Sequence, residues 1–322
     1  MDRNYYFKAL PSNGQLSDRV GKMRALGLPP SVELFIDNID ITDRALFTRM
    51  AECCLSHPAR YMVHVPLVDA GGKYYDLADN DGGWWQYAVA FARETGSRDV
   101  VLHYTFGLDR GLSHRIAQQG ARAQIAEIAR QNSDIHFHIE NYGPLFFQHK
   151  NGTWTYPVCP LDHFFPWEME AFDVWARVEG LNNVGILLDT AHCALSSNMF
   201  NLLKNNPLLR GDRRFSNISD DDLKKVTRLD TADYLRLDFF SAYHLSDALI
   251  IRDSDSQADH GRKTLTEGLP MGKGEIDFAP LFKAISHNRC NPLLVLEIHV
   301  KDFGNAVEMV DAVHFMEAGI RG

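Results

Sequence analysis

Six short apolar runs in this chain end on side chains that bind metals or exchange protons: Tyr61–His64 (YMVH), Asp99–His103 (DVVLH), Ile135–Glu140 (IHFHIE), Val184–Asp189 (VGILLD), Ala242–His244 (AYH) and Leu293–Glu297 (LLVLE). His192 follows Asp189 by three positions in DTAH. A carboxylate or imidazole at the end of a buried strand is costly to desolvate unless it binds something. Six such ends therefore predict a shared rim and a metal-centred active site. Glu140, Asp189, His244 and Glu297 form a set of three carboxylates and one imidazole. These hard oxygen donors with one nitrogen suit Mn²⁺, Mg²⁺, Co²⁺ or Zn²⁺ and not soft thiolate chemistry. Such a set can polarise a carbonyl and hold an enediolate while two glutamates exchange protons. Separate salt bridges at strand ends would account for one or two of the four positions, not for all of them. His64 and His103 stay open between binding substrate hydroxyls, hydrogen-bonding across the rim and holding a second metal.

The elements that must position these residues alternate along the chain. Strand-like runs are expected at Tyr5–Leu10, Val32–Ile36, Tyr61–Val65, Val100–His103, Ile135–Glu140, Val184–Asp189, Tyr243–Leu245 and Leu293–Ile298. Helical stretches are expected through Arg24 and over Asp43–Leu55, Leu112–Gln131, Trp167–Val178 and Asn305–Glu317. Eight strands each followed by a helix predict a (β/α)8 barrel of the α/β class, one domain over residues 1–322, with catalysis at the C-terminal ends of the strands. Period two in Ile135–Glu140 puts His136, His138 and Glu140 on one face, toward the barrel interior. The two histidines then either orient the ligands above them or are hydrogen-bonded interior groups.

Two insertions interrupt this pattern. After the fifth strand, Asn141–Pro166 contains LFFQHKNGTWTYPV, in which Asn151-Gly152 between strand-like flanks predicts a β-hairpin with a type I′ turn. Its aromatics, Trp154 among them, either wall a substrate pocket over the barrel mouth or form a protein contact. A long insertion, Ser196–Asp238, separates the sixth and seventh strands, and its DDDLKK run reads as a solvated helix start. The loop Met271–Asp277 (MGKGEID) offers glycine amides and Lys273 to a phosphate, or is a purely structural turn.

The whole chain has 322 residues, 45% hydrophobic and 23% charged, enough for a substantial core. A net charge of −9 gives no general attraction to nucleic acid. The five cysteines (Cys53, Cys54, Cys159, Cys193, Cys290) form no CxxC pair and leave an odd one over, which suits a reduced cytoplasm. No apolar run is long enough to span a bilayer, and MDRNYYFKALPSNG lacks a signal-peptide core. A soluble, cytoplasmic enzyme acting on a small molecule is expected, with a homo-oligomer packed through Asn141–Pro166 as one option.

The order H…H…E(N)…DTAH…HLSD…GKGEIDF…E resembles the xylose-isomerase-like barrel superfamily of sugar and sugar-phosphate isomerases and epimerases, which also includes endonuclease IV-type enzymes. The resemblance spans nearly the whole chain. For the epimerase branch it implies one divalent metal on Glu140, Asp189, His244 and Glu297, with Glu140 and Glu297 also acting as an acid/base pair on opposite faces of a sugar or polyol. It implies His192 at substrate oxygens and Arg252 as the nearest match to a substrate-binding arginine. For the endonuclease branch it implies a further metal on His64, His103 and Glu140. A third would use His192 with an Asp-x-His pair, and TEGLPMGKGE has no such pair. Dinuclear barrel oxidases that modify peptides also resemble this superfamily.

Overall fold

The computed structural model describes residues 3–36, 43–66, 77, 84–103, 114–141, 143, 147–148, 154–155, 165–211, 218–249, 266–287, 291–299 and 304–322. Eight strands close into a barrel: β1 (Asn4–Ala9), β2 (Ser31–Phe35), β3 (Arg60–His64), β4 (Asp99–His103), β5 (His136–Glu140), β8 (Val184–Asp189), β9 (Ala242–Leu245) and β12 (Leu293–Leu296). All eight neighbouring pairs are parallel, and β1 closes the ring by pairing with both β2 and β12. A helix follows every barrel strand: α1 (Asn13–Ala25), α2 (Arg44–Leu55), α3 (Trp84–Thr95), α4 (His114–Gln131), α5 (Pro166–Val178), α6 (Thr190–Asn205), α9 (Ala279–His287) and α10 (Val307–Arg321). This is the expected (β/α)8 architecture.

Strand alternation divides the side chains between two cores. Phe7, Val32, Leu34, Val63, Val100, Phe137, Ile139 and Leu188 face outward into the layer between barrel and helices. Inside the barrel a small apolar plug forms from Tyr6, Met62, Val101, Leu187, Ala242 and Val295. Moving two residues along each strand from a plug residue gives Lys8, His64, His103, Asp189, His244 and Glu297. Because the side-chain period of a strand is two, one apolar layer carries one polar layer directly above it, at the C-terminal rim.

The interior below the plug is also polar. His138 lies between Asp99 Oδ1 (3.0 Å from Nε2) and Ser241 Oγ (2.8 Å from Nδ1). It faces inward as its alternation requires, but its partners are on the barrel floor and not among the rim residues. The reading in which it orients the ligands is therefore corrected in favour of an interior hydrogen-bonded group.

Both insertions exist with changed boundaries. β6 (Phe147–Gln148) and β7 (Trp154–Thr155) pair antiparallel, Phe147 opposite Thr155 and Gln148 opposite Trp154. Asn151 and Gly152 lie outside the described residues. The insertion after the sixth barrel strand begins later than Ser196, because α6 continues to Asn205 as the barrel's own helix. The remainder contains a 3-10 turn at Pro207–Gly211, α7 (Asp220–Lys225) and α8 (Thr231–Leu235). The DDDLKK run is indeed a helix start: Ser219 accepts from the Asp222 amide, and the Asp222 carboxylate accepts from the Ser219 amide at 3.0 Å.

Candidate metal centre

Glu140, at the end of β5, is fully buried and central. Its Oε2 lies 3.2 Å from His64 Nε2 and 3.1 Å from His103 Nε2, contributed by β3 and β4. Its Oε1 lies 3.2 Å from His244 Nδ1 on β9. The same Nδ1 contacts Glu297 Oε2 just beyond β12, and Asp189 Oδ2 is 3.9 Å away. Glu140, Asp189, His244 and Glu297 each bring one donor atom to within 4.8 Å of the others, and so do His64, His103 and Glu140. Both groupings expected from the sequence are thus assembled at one place.

Local structure fixes the remaining neighbours. Asp189 ends β8 and caps α6, its Oδ1 accepting the His192 amide at 2.8 Å, which leaves Oδ2 toward the centre. Asn141 joins the ends of β5 and β8: its Oδ1 accepts the Asp189 amide and its Nδ2 donates to the Asp189 carbonyl at 3.3 Å. His192 Nδ1 donates to the Asn141 carbonyl at 2.8 Å. Gly143 is required beside it, since a Cβ there would stand 2.9 Å from His192 Cδ2.

Three rim histidines face acceptors on both ring nitrogens. His64 Nδ1 is 3.0 Å from the Val65 carbonyl, which can only accept, so Nδ1 carries the proton. Its Nε2 lone pair then faces Glu140 Oε2 unless a proton or metal ion lies between them. His192 repeats the arrangement, with Nε2 at 3.1 Å from Glu267 Oε2. His244 has Glu33 Oε2 at 2.8 Å from Nε2 and the three carboxylates about Nδ1. Glu33 is wholly buried and its Oε1 has no hydrogen-bond partner among the described residues. The donor set is rich in oxygen and short of positive charge, and it fits a divalent cation.

The protonation tendencies say the same. Burial works against charge at all of these groups, so the neighbours decide. Against burial, Glu297, Glu33 and Glu140 push His244 well above the usual imidazole range, and Asp189, Glu267 and Glu140 do so for His192. Burial would raise Glu140 and Glu297, but His244 together with His103 holds the first well below the usual carboxylate range, and His244 with Lys8 the second. Asp189 rises to about 7, because burial and the carboxylates of Glu297 and Glu140 outweigh His192 and His244. Burial lowers His103. Without a metal ion, protons on histidine supply the missing positive charge.

Sequence reasoning missed three residues. Lys8, on β1, pairs with Glu297 Oε1, and its Nζ sits 3.8 Å over the Phe35 ring. Glu33 lies inside VELFI, where alternation with Ser31 and Phe35 marks it as inward-facing. Glu267, on β11 (Thr266–Leu269), meets His192 without the Asp-x-His spacing. The next residue, Gly268 (φ 70°), is overlain by the His299 ring, so a side chain there would collide.

The MGKGEID loop is held from within the chain. Gly272, Gly274 and Ile276 donate their amides to the Asp247 carboxylate on β10 (Asp247–Leu249), at 3.0, 2.8 and 3.0 Å. Those amides are spent on an internal aspartate, and Lys273 is exposed beside them. Arg252 and the side chain of Trp154 lie outside the described residues. No helix among the described residues is long and apolar enough to cross a membrane.

A closed parallel barrel with a carboxylate–imidazole rim at its C-terminal end defines a class of barrel enzymes. The sequence matches the xylose isomerase-like TIM barrel family over residues 35–318, and the chain belongs to that family. No curated protein matches the sequence significantly. Among solved structures it is similar to D-psicose 3-epimerase in the presence of D-fructose, at 14% identity and TM-score 0.57, covering 99% of this chain and 100% of that one. It is similar to an AP endonuclease of family 2 from Brucella melitensis, at 11% identity and TM-score 0.56, covering 98% of each. The IOLI protein with a bound zinc atom is similar at 13% identity and TM-score 0.54, covering 98% of this chain and 97% of that one. At these identities the likeness is one of fold.

Proposed function

We propose that this protein is a divalent-metal-dependent isomerase or epimerase of a sugar, sugar phosphate or related polyol. One observation carries the reading: Glu140, Asp189, His244 and Glu297 converge their donor atoms at the catalytic end of the barrel. A divalent ion held by these four would polarise a substrate carbonyl and fix the adjacent hydroxyl. Glu140 and Glu297 are both held in the ionised form, so either can act as a base. In the proposed exchange one removes the proton α to the carbonyl, and the other, protonated beforehand from solvent water, delivers that proton to the opposite face. His192 donates from Nε2 to the developing alkoxide, which takes the place of Glu267 as acceptor. In this reading His64 and His103 hydrogen-bond across the rim to Glu140 and hold no second metal. The sugar-epimerase likeness supports this substrate class, and the three cysteines among the described residues, Cys53, Cys54 and Cys193, are free, consistent with a cytoplasmic setting.

The test is a ketose and aldose panel run in deuterated water with the manganese-loaded enzyme. Deuterium entering the carbon α to the carbonyl as isomers form is the expected result. Isomers formed with no exchange under any condition would rule out the two-base route.

A second reading has its own observation. His64 Nε2, His103 Nε2 and Glu140 Oε2 form a second compact ligand group. Occupied by a metal, it favours hydrolysis of a phosphodiester in abasic DNA, or oxidative chemistry on a peptide. Elemental mass spectrometry separates the two readings. One ion per chain, retained in His64→Ala and lost in Glu297→Ala, fits the isomerase. Two ions, one lost in His64→Ala, fit the alternative, for which chelator-sensitive cleavage of an abasic duplex is the activity to find.

A further inference from the structure

Asp189, His244 and Glu297 each have two donor atoms, and a neighbour occupies one of them. Asp189 gives Oδ1 to the His192 amide, an interaction built into the start of α6. For His244 and Glu297 the restraint comes from β1 and β2, on the opposite side of the barrel from β5 in the strand order. We propose that Glu33 and Lys8 are positioning residues that choose the coordinating atoms. Glu33 holds His244 by Nε2 so that Nδ1 faces the ion, and Lys8 holds Glu297 by Oε1 so that Oε2 does. This inference rests on the metal-centre reading and deepens it.

Three features support the assignment. The two atoms left over, His244 Nδ1 and Glu297 Oε2, are in contact with each other, so the two restraints aim at one point. Lys8 and Glu33 are register partners on adjacent strands, which places both on the same inward face. Glu33 is wholly buried and meets only His244 among its described hydrogen-bond partners. Burying a carboxylate there is expensive, and its described hydrogen bond fixes the ring of a ligand. A carboxylate on the far nitrogen of a ligating histidine sets its tautomer and raises its basicity. Both residues precede the region matched to the family, which begins at residue 35.

The test uses the full chain stripped with chelator and titrated with Co²⁺, following affinity and the visible absorption of the ion. Circular dichroism and a melt of each metal-free variant check the fold. Glu33→Gln should weaken Co²⁺ binding about 10- to 100-fold, the usual cost of losing such a partner, and Glu33→Asp should recover part of it. Lys8→Met frees Glu297 Oε1 to chelate and should change the cobalt spectrum. ¹⁵N-histidine spectra of the zinc-loaded wild type, which depend on no variant, should show His244 coordinated through Nδ1 and protonated at Nε2. Coordination through Nε2 would overturn the inference, as would folded variants with wild-type affinity and spectrum. In both cases the metal reading survives. A wild-type chain that takes up neither ion would remove both.

Discussion

Glu140 carries the heaviest load of any side chain at the rim, because its two oxygens serve different neighbours. Oε2 faces His64 and His103, and Oε1 faces His244. Replacing it with glutamine keeps the volume but removes a charge that three histidines share. Glu140→Gln should lower kcat at least about 10²-fold, the lower end for losing a general acid–base group, and should reduce metal content in the same preparation. Lost turnover with normal metal content would confine Glu140 to proton transfer, and normal turnover would remove it from both roles. The ease of reading such residues from sequence depends on their surroundings. Glu140, Asp189 and Glu297 each terminate an apolar run, where a carboxylate stands out. Glu33 sits inside its run, Lys8 in a strand with little apolar contrast, and Glu267 in a short TEGL segment with none. Their roles depend on which strands adjoin in space, and a period of two cannot reveal that for a single strand.

At the scale of elements, the barrel uses one device repeatedly: an outward apolar side chain, an inward plug residue and, two positions later, a polar rim residue. That is why the strands were legible. Their outer residues are apolar for the helices, and polar residues break the pattern on the inward face, at the rim and at the barrel floor. Helix α3 is not among the helices expected from the sequence, although Trp84–Thr95 buries Trp84, Trp85, Ala88, Val89, Phe91 and Ala92 at helical spacing. The latter part of helix α6 reads as an insertion because the helix is buried from Thr190 to Ser197 with polar residues, Ser196 and Ser197 among them, inside it, so that no apolar stripe marks it. The plug yields a direct prediction. Met62→Ala removes a wholly buried side chain at its centre and should cost about 2–5 kcal/mol in urea unfolding. A second prediction concerns Asp247, the sole side-chain acceptor for three loop amides. Asp247→Ala should cost on the order of 3 kcal/mol, since hydrogen bonds to a charged group are worth more than neutral ones, and should raise hydrogen exchange at Gly272, Gly274 and Ile276. Unchanged exchange at those amides would show that the loop is held by other contacts.

For the molecule as a whole, the rim ties stability to pH and to metal. Burial and neighbouring carboxylates raise Asp189 from 3.8 to about 7 in the metal-free fold, so its contribution to stability is complete below pH 3.8 and lost as pH climbs to 7. His192 and His244 are raised from 6.5, so theirs is complete below 6.5 and lost as pH rises through their higher folded values. Glu140 and Glu297 are lowered from 4.5 and act in the opposite direction: their contribution is present above 4.5 and lost as pH falls through their folded values. The rim therefore favours the metal-free fold most at mildly acidic pH, and progressively less as pH rises through 7 and then through the higher folded values of His192 and His244. In the proposed reading a divalent ion at the rim would replace the protons on His244 and Asp189, so its affinity would rise with pH, by about 1.4 kcal/mol per pH unit for each proton displaced. At 100 times its Kd an ion adds about 2.7 kcal/mol. The melting-temperature gap between manganese-loaded and chelator-stripped protein should consequently widen from pH 5.5 to pH 8 in a scanning fluorimetry series at fixed free Mn²⁺. A gap that stays constant or narrows would mean that the ion binds without displacing these protons, and so away from His244 and Asp189.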